Sequence, residues 1–120
     1  MSAQARQRAE RRGQAAERLA ALFLMLKGYR ILARRHRTPA GEIDLIAARG
    51  RRLVFAEVKR RARRDEAAES ITARQQARIA RAAAFWLARN PAYREHDIGF
   101  DAVLLAPRRW PRHLRDAFRV

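Results

Sequence analysis

The chain has no cysteine, which excludes disulfide bridges, thiolate nucleophiles and thiolate metal sites; a reducing compartment, the cytoplasm, is the expected location. It also has no long apolar run. Leu19 to Leu26, eight residues, is the longest. That is less than half of the ~20 residues a membrane-spanning helix requires, so no membrane partner is expected. The N-terminus lacks the basic, then apolar, then small-residue order of a secretion signal, and Glu10 and Glu17 argue against a transit peptide. Acidic residues are scarce, with 12 Asp plus Glu against 28 Lys plus Arg for a net charge of +16. Lysine is scarcer still, because only Lys27 and Lys59 stand among those 28 cations. Such an excess of positive charge points to a polyanionic partner. Nucleic acid, DNA before RNA, is the first expectation because phosphate contacts dominate its affinity. An Arg- and Ala-rich composition also follows from genome base composition, so charge alone does not decide the matter.

The length of 120 residues suits one domain with one core. Residues 1–12 are polar and basic without apolar periodicity and read as a disordered arm, which leaves 13–120 as a single domain. Ala16, Leu19, Ala20, Phe23 and Leu24 recur at helical spacing from about Gly13, and Gly28 ends that helix. A short strand over Tyr29–Arg37, a turn at Thr38–Gly41, a strand over Glu42–Ala48 and another over Arg52–Arg60 follow. Thr72 caps a second helix reaching about Arg89, with Ile79, Ala83 and Trp86 facing inward and Arg74, Arg78 and Arg81 outward. Asn90-Pro91 stops it, a strand covers Ile98–Leu105, and His113–Phe118 is a short amphipathic piece. The order α-β-β-β-α-β predicts an α/β sandwich with a mixed sheet.

The chemistry concentrates on the central hairpin. On one strand Glu42, Asp44 and Ile46 share a face; on the next, Phe55, Glu57 and Lys59 do. With the turn centred near Gly50, Asp44 falls opposite Phe55 and diagonal to Glu57, roughly 7–8 Å apart at Cα. Two carboxylates within reach of one hard cation, Mg²⁺ or Mn²⁺, beside a lysine are what phosphodiester hydrolysis needs. Lys59 is suited either to deprotonating the attacking water or to stabilising the charged phosphate. Glu17 shares a helix face with Ala20, Ala21 and Leu24, an apolar setting that fits a third metal ligand or a boundary carboxylate paired with Arg18, Arg30 or another surface cation. A solvated cross-strand salt bridge is the plain alternative for Asp44, Glu57 and Lys59. Against it stand the apolar residues on both faces of both strands, because buried charges need partners or a metal.

These segments carry a resemblance. Gly41-Glu42-Ile43-Asp44-Leu45-Ile46, Leu53-Val54-Phe55-Ala56-Glu57-Val58-Lys59, Thr72 with Gln76 and Arg78, and Phe100-Asp101-Ala102-Val103 resemble the YraN-like bacterial proteins. That family in turn resembles the PD-(D/E)XK restriction-endonuclease-like nucleases, archaeal Holliday junction resolvases in particular. The resemblance runs from about Gly13 to Arg119. It implies a restriction-endonuclease-like three-layer sandwich, with Asp44 and Glu57 as metal ligands and Lys59 as the catalytic lysine. It further implies Glu17 as the helix carboxylate and Gln76 as a glutamine near the metal. Ile43 stands where such proteins often have proline, and Ala73 and Gln75 depart from the second-helix pattern.

Arg60, Arg61, Arg63 and Arg64, just beyond the lysine strand, are placed to grip phosphates beside the scissile bond, and Arg74 and Arg78 to extend that grip. His36, His96 and His113 show no ligand spacing and read as surface or turn residues; Asp101 reads as a surface or hydrogen-bonding residue ahead of a support to the site, and Trp110 as packing at the sheet edge ahead of stacking on a base. The leading expectation is structure-directed, Mg²⁺- or Mn²⁺-dependent cleavage of DNA. The alternative is a non-catalytic nucleic-acid-binding accessory protein with a vestigial site. Cutting both strands of a junction calls for a homodimer, for which the sequence shows no face.

Overall fold

The computed structural model describes residues 2–60 and 71–119. Helix α1 (Ala3–Leu26) is followed by strands β1 (Arg30–Thr38), β2 (Gly41–Arg49) and β3 (Arg52–Arg60), helix α2 (Ala73–Arg89), a 3-10 turn (Pro91–Tyr93), and strands β4 (Asp97–Leu105) and β5 (Arg112–Phe118). The strands form one sheet in chain order. Strands β3 and β4 run parallel and every other neighbouring pair is antiparallel. Two parallel neighbours need a crossover rather than a hairpin, and α2 lies in that crossover.

Each face of the sheet carries one helix. Leu45, Ala47, Val54, Ala56 and Val103 pack against Ala16, Ala20, Ala21 and Leu24 of α1. Ile46, Ala48, Leu53, Phe55 and Phe100 pack against Ile79, Ala82, Ala83 and Trp86 of α2. Small alanines on both helices let them lie close to the strands. Phe55 anchors the second layer, edge-on to Trp86 at 5.9 Å and stacked on Phe100 at 5.9 Å. Burying a side chain of that size contributes about 1.5–3 kcal/mol, and a one-residue slip of β3 would turn it to the other face. The expected α/β fold with a mixed sheet is therefore present. Among the described residues no helix is long and apolar enough to cross a membrane.

Several details depart from the sequence expectation. Residues 3–12, expected as a disordered arm, continue α1, which Ser2 caps by accepting the Ala5 N–H. Alanine, arginine and glutamine are good helix formers without any apolar periodicity. Leu19 points outward with Leu22, Met25 and Leu26, because the packed face of α1 is set by Ala16, Ala20, Ala21 and Leu24. His113–Phe118 lies within a fifth strand, β5, paired with β4. Its alternation is hidden by a register shift and by Asp116, which sits in the left-handed region at φ 50. The β2–β3 hairpin turns on Gly50 and Arg51, so Ile46 pairs with Phe55 and Leu45 with Ala56, two residues away from the expected register.

Candidate functional site

The β2–β3 ladder ends at Leu45 and Ala56, although both strands continue, and the next position on each strand is an acid, Asp44 and Glu57. Asp44 bridges the opening: its Oδ2 accepts the Val58 N–H at 2.8 Å, where a strand partner's carbonyl would otherwise serve. Strict alternation breaks at the same point. Ile43 packs in the α2 layer with Ile46, whereas Leu45 packs in the α1 layer, so Ile43 and Leu45 do not share a face as expected. The parting of the strands lets carboxylates from both layers gather. Glu17 on α1, Glu42 and Asp44 place carboxylate oxygens within 4.8 Å of one another. Glu57 lies beside them, and its Oε1 is 3.3 Å from the Lys59 Nζ, which is almost wholly buried.

A cleft of about 210 Å³ opens onto this group, lined by Gly41, Glu42, Asp44, Glu57, Gln75 and Arg78 among others. Gln75 thus borders the cleft and also closes the capping box with Thr72, while Gln76 turns its Nε2 back to the Ile71 carbonyl at 3.2 Å. Arg74 is exposed on α2, Arg78, also exposed, borders the cleft beside Gly41, and Arg60 is exposed at the end of β3. Arg61, Arg63 and Arg64 lie outside the described residues.

Cations answer the acids. The Arg35 Nε is 3.6 Å from Glu17 Oε2 and 3.7 Å from Glu42 Oε1, and the Arg37 Nε is 3.3 Å from Glu42 Oε2. The balance is incomplete. Burial and the Glu57 carboxylate push the Asp44 carboxyl up to about 7 against the opposing Val58 hydrogen bond. Burial also raises Glu17, with Arg35 opposing and Glu42 assisting. Crowded, oxygen-only donors of this kind suit a hard divalent cation, which would relieve their mutual repulsion. Glu42 is a donor that the sequence reading did not single out. Its signal was there, two residues before Asp44 on the same strand.

Because the folded chain holds the Asp44 proton more tightly than the unfolded chain does, this group's contribution to stability is full below about pH 4 and is lost as pH rises through about 7. Asp44→Asn keeps an oxygen for the Val58 N–H and removes the charge. Measured in chelator by denaturant unfolding, the variant is expected to be more stable than wild type at pH 8, by on the order of 2 kcal/mol, with the gap closing at pH 4. An equal gap at both pH values would contradict the assignment.

A second polar cluster lies on the α1 side. Asp101, fully buried, accepts both Arg52 guanidinium nitrogens at 2.7 Å and the Asp116 N–H at 2.9 Å, and His113 Nε2 is 2.5 Å from its Oδ2. Lys27 Nζ is 2.6 Å from His113 Nδ1. Lysine only donates, so Nδ1 accepts and Nε2–H donates to Asp101. Burial would raise Asp101, but hydrogen bonds from His113, Arg52 and Asp116 outweigh it and hold the carboxyl down to about 2. Gly99 makes room, since a Cβ there would meet the Arg52 guanidinium at 2.4 Å. Gly28 at φ +92 ends α1 in a Schellman turn, with Gly28 N–H bonded to Met25 O and Tyr29 N–H to Leu24 O, and so fixes where Lys27 emerges. His113, expected at the surface, is thus an interior residue, while Trp110, expected to pack, is 79% exposed.

The model of the uncharacterised protein family UPF0102 matches residues 16–105. The chain belongs to this YraN-like family. Relatives with the same family name include one from Parvibaculum lavamentivorans, 58% identical over 111 residues that cover 92% of this chain and 84% of that protein. Another, from Methylorubrum extorquens, is 58% identical over 109 residues covering 91% and 85%. The segment matched by the UPF0102 model holds Glu17, Glu42, Asp44, Glu57, Lys59 and Asp101, and ends before His113 and Asp116.

Proposed function

We propose that this protein is a Mg²⁺- or Mn²⁺-dependent nuclease that hydrolyses DNA phosphodiesters, directed by the shape of the substrate rather than its base sequence. The observation that carries the reading is the convergence of the Glu17, Glu42 and Asp44 carboxylates at the parting of β2 and β3, with the Glu57–Lys59 pair beside them, in a chain of net charge +16. The resemblance to PD-(D/E)XK nucleases supports it and extends it to a restriction-endonuclease-like sandwich. The donor set fits the metal, since every group is a hard carboxylate oxygen and Asp44 is raised by burial and by the neighbouring Glu57 carboxylate. When bound, the ion supplies an activated water and offsets charge on the phosphate. Asp44, Glu57, Glu17 and Glu42 are the residues that would hold it. Lys59, fixed by Glu57, supplies a donor for the phosphate oxygens or for the attacking water. Arg78, at the border of the cleft, is placed to grip a flanking phosphate, and Arg60, Arg74, Arg61, Arg63 and Arg64 are proposed to join it. The absence of cysteine is in keeping with work in the cytoplasm, and two-strand cutting with a homodimer.

A second reading, a nucleic-acid-binding accessory protein with a vestigial site, draws on the ion pairs Arg35–Glu17, Arg35–Glu42 and Lys59–Glu57, which partly neutralise the acids without any metal. The deciding experiment incubates the purified chain with linear, single-stranded, flap and four-way-junction DNA in Mg²⁺ or Mn²⁺, beside Glu57→Ala and Lys59→Ala. Cleavage by wild type alone supports the nuclease and identifies its substrate. Binding that weakens steeply with salt, without cleavage, selects the accessory reading.

A further inference from the structure

Arg35 occupies an unusual place in β1. It has a left-handed backbone at φ 49, a conformation that costs a non-glycine residue about 1 kcal/mol, in a strand whose neighbouring pairs Arg34–Leu45 and His36–Ile43 are in regular register. It lies between the pairs Arg34–Leu45 and His36–Ile43, beside the point at which β2 breaks alternation and β3 departs. The guanidinium, about one quarter exposed, reaches Glu17 on α1 and Glu42 on β2 together. Glu17 and Glu42 are two of the three acids whose oxygens converge.

We propose that Arg35 is an internal counter-cation that holds the carboxylate site when no metal is bound and competes with the metal for Glu17 and Glu42. The inference rests on the metal-site reading above and assigns its regulation. A guanidinium and a divalent ion cannot both take the same carboxylate oxygens at full strength, so metal entry requires Arg35 to give up its two contacts. Arg35 is therefore a positioning residue: it keeps mutually repelling carboxylates together before the metal arrives and sets the metal concentration at which they are taken over.

Mn²⁺ binding to the full chain, measured by calorimetry without DNA, tests this. Arg35→Gly removes the cation and suits the positive φ, so the variant is expected to fold, checked by circular dichroism, and to bind Mn²⁺ roughly fivefold more tightly than wild type. Arg35→Lys, which keeps a cation, is expected to stay within about twofold of wild type. Asp44→Asn in either background is expected to abolish the binding, which assigns it to this site. Equal or weaker Mn²⁺ binding by Arg35→Gly overturns the role of Arg35 while leaving the metal site standing. No Mn²⁺ binding by wild type or by Arg35→Gly overturns both readings.

Discussion

Asp101→Ala is expected to destabilise the full chain by about 3–5 kcal/mol, enough to leave it largely unfolded at 37 °C if its total stability is ordinary. The Asp101 carboxylate is fully buried and receives four contacts, from the two Arg52 nitrogens, His113 and the Asp116 N–H. Alanine strands a guanidinium, an imidazole donor and a backbone N–H at once, and the cost of leaving buried donors unmet exceeds the modest net worth of the bonds themselves. The loss also spreads through the fold, because the cluster ties the end of α1 through Lys27 and Tyr29 to β3, β4 and β5. Asp101→Asn preserves the shape but not the charge opposite Arg52, and is expected to fall between wild type and alanine. Urea denaturation of the three proteins settles the order; a loss under about 1 kcal/mol in Asp101→Ala would show that the network is incidental. Acid acts in the same direction. With its folded value depressed to about 2, Asp101 contributes stability above about pH 4 that is lost as pH falls through about 2.

The second large effect is on cleavage. Under the proposed function, Glu57→Ala and Lys59→Ala each lower metal-dependent DNA cleavage by at least about 10²–10³-fold, the range seen when one preorganised electrostatic group is removed. The two variants separate in binding. Glu57→Ala takes away a negative charge beside the path of the phosphate, so its DNA affinity in chelator is expected to match or exceed that of wild type. Lys59→Ala removes a cation and releases Glu57 from its 3.3 Å partner, so its affinity is expected to fall. Purified Glu57→Ala that cleaves at the wild-type rate would sink the nuclease reading. Measuring both variants at several salt concentrations keeps the general +16 attraction apart from the local effect, because the general term weakens as counterions compete.

Much of this molecule was legible in the linear chain because its information is local. The apolar spacing of Ile79, Ala83 and Trp86 determines which side of α2 is buried, and Thr72 with Gln75 marks where that helix starts. The block from Gly41 to Ile46 and the strand from Leu53 to Lys59 determine a hairpin rich in apolar residues, with acids at its open end. The chain's composition alone determines the +16 charge and the want of thiol chemistry.

What the tertiary structure decided was non-local. A difference of one residue in the turn centre shifts the pairing by two and sets Ile46 rather than Asp44 against Phe55; Asp44 bonds a backbone N–H fourteen residues away. The inclusion of Glu42 in the acidic group and the reach of Arg35 to two elements depend on a left-handed residue, and no periodicity announces one. Strand β5 and the interior place of His113 depend on Asp101, a charged residue that reads as surface until a second strand covers it. Periodic burial is encoded by neighbours within one or two turns, so the sequence determined the inward face of α2 and the central hairpin. Charge pairing is encoded by groups that meet only after those elements pack, and the folded chain alone decided which acid faces which cation.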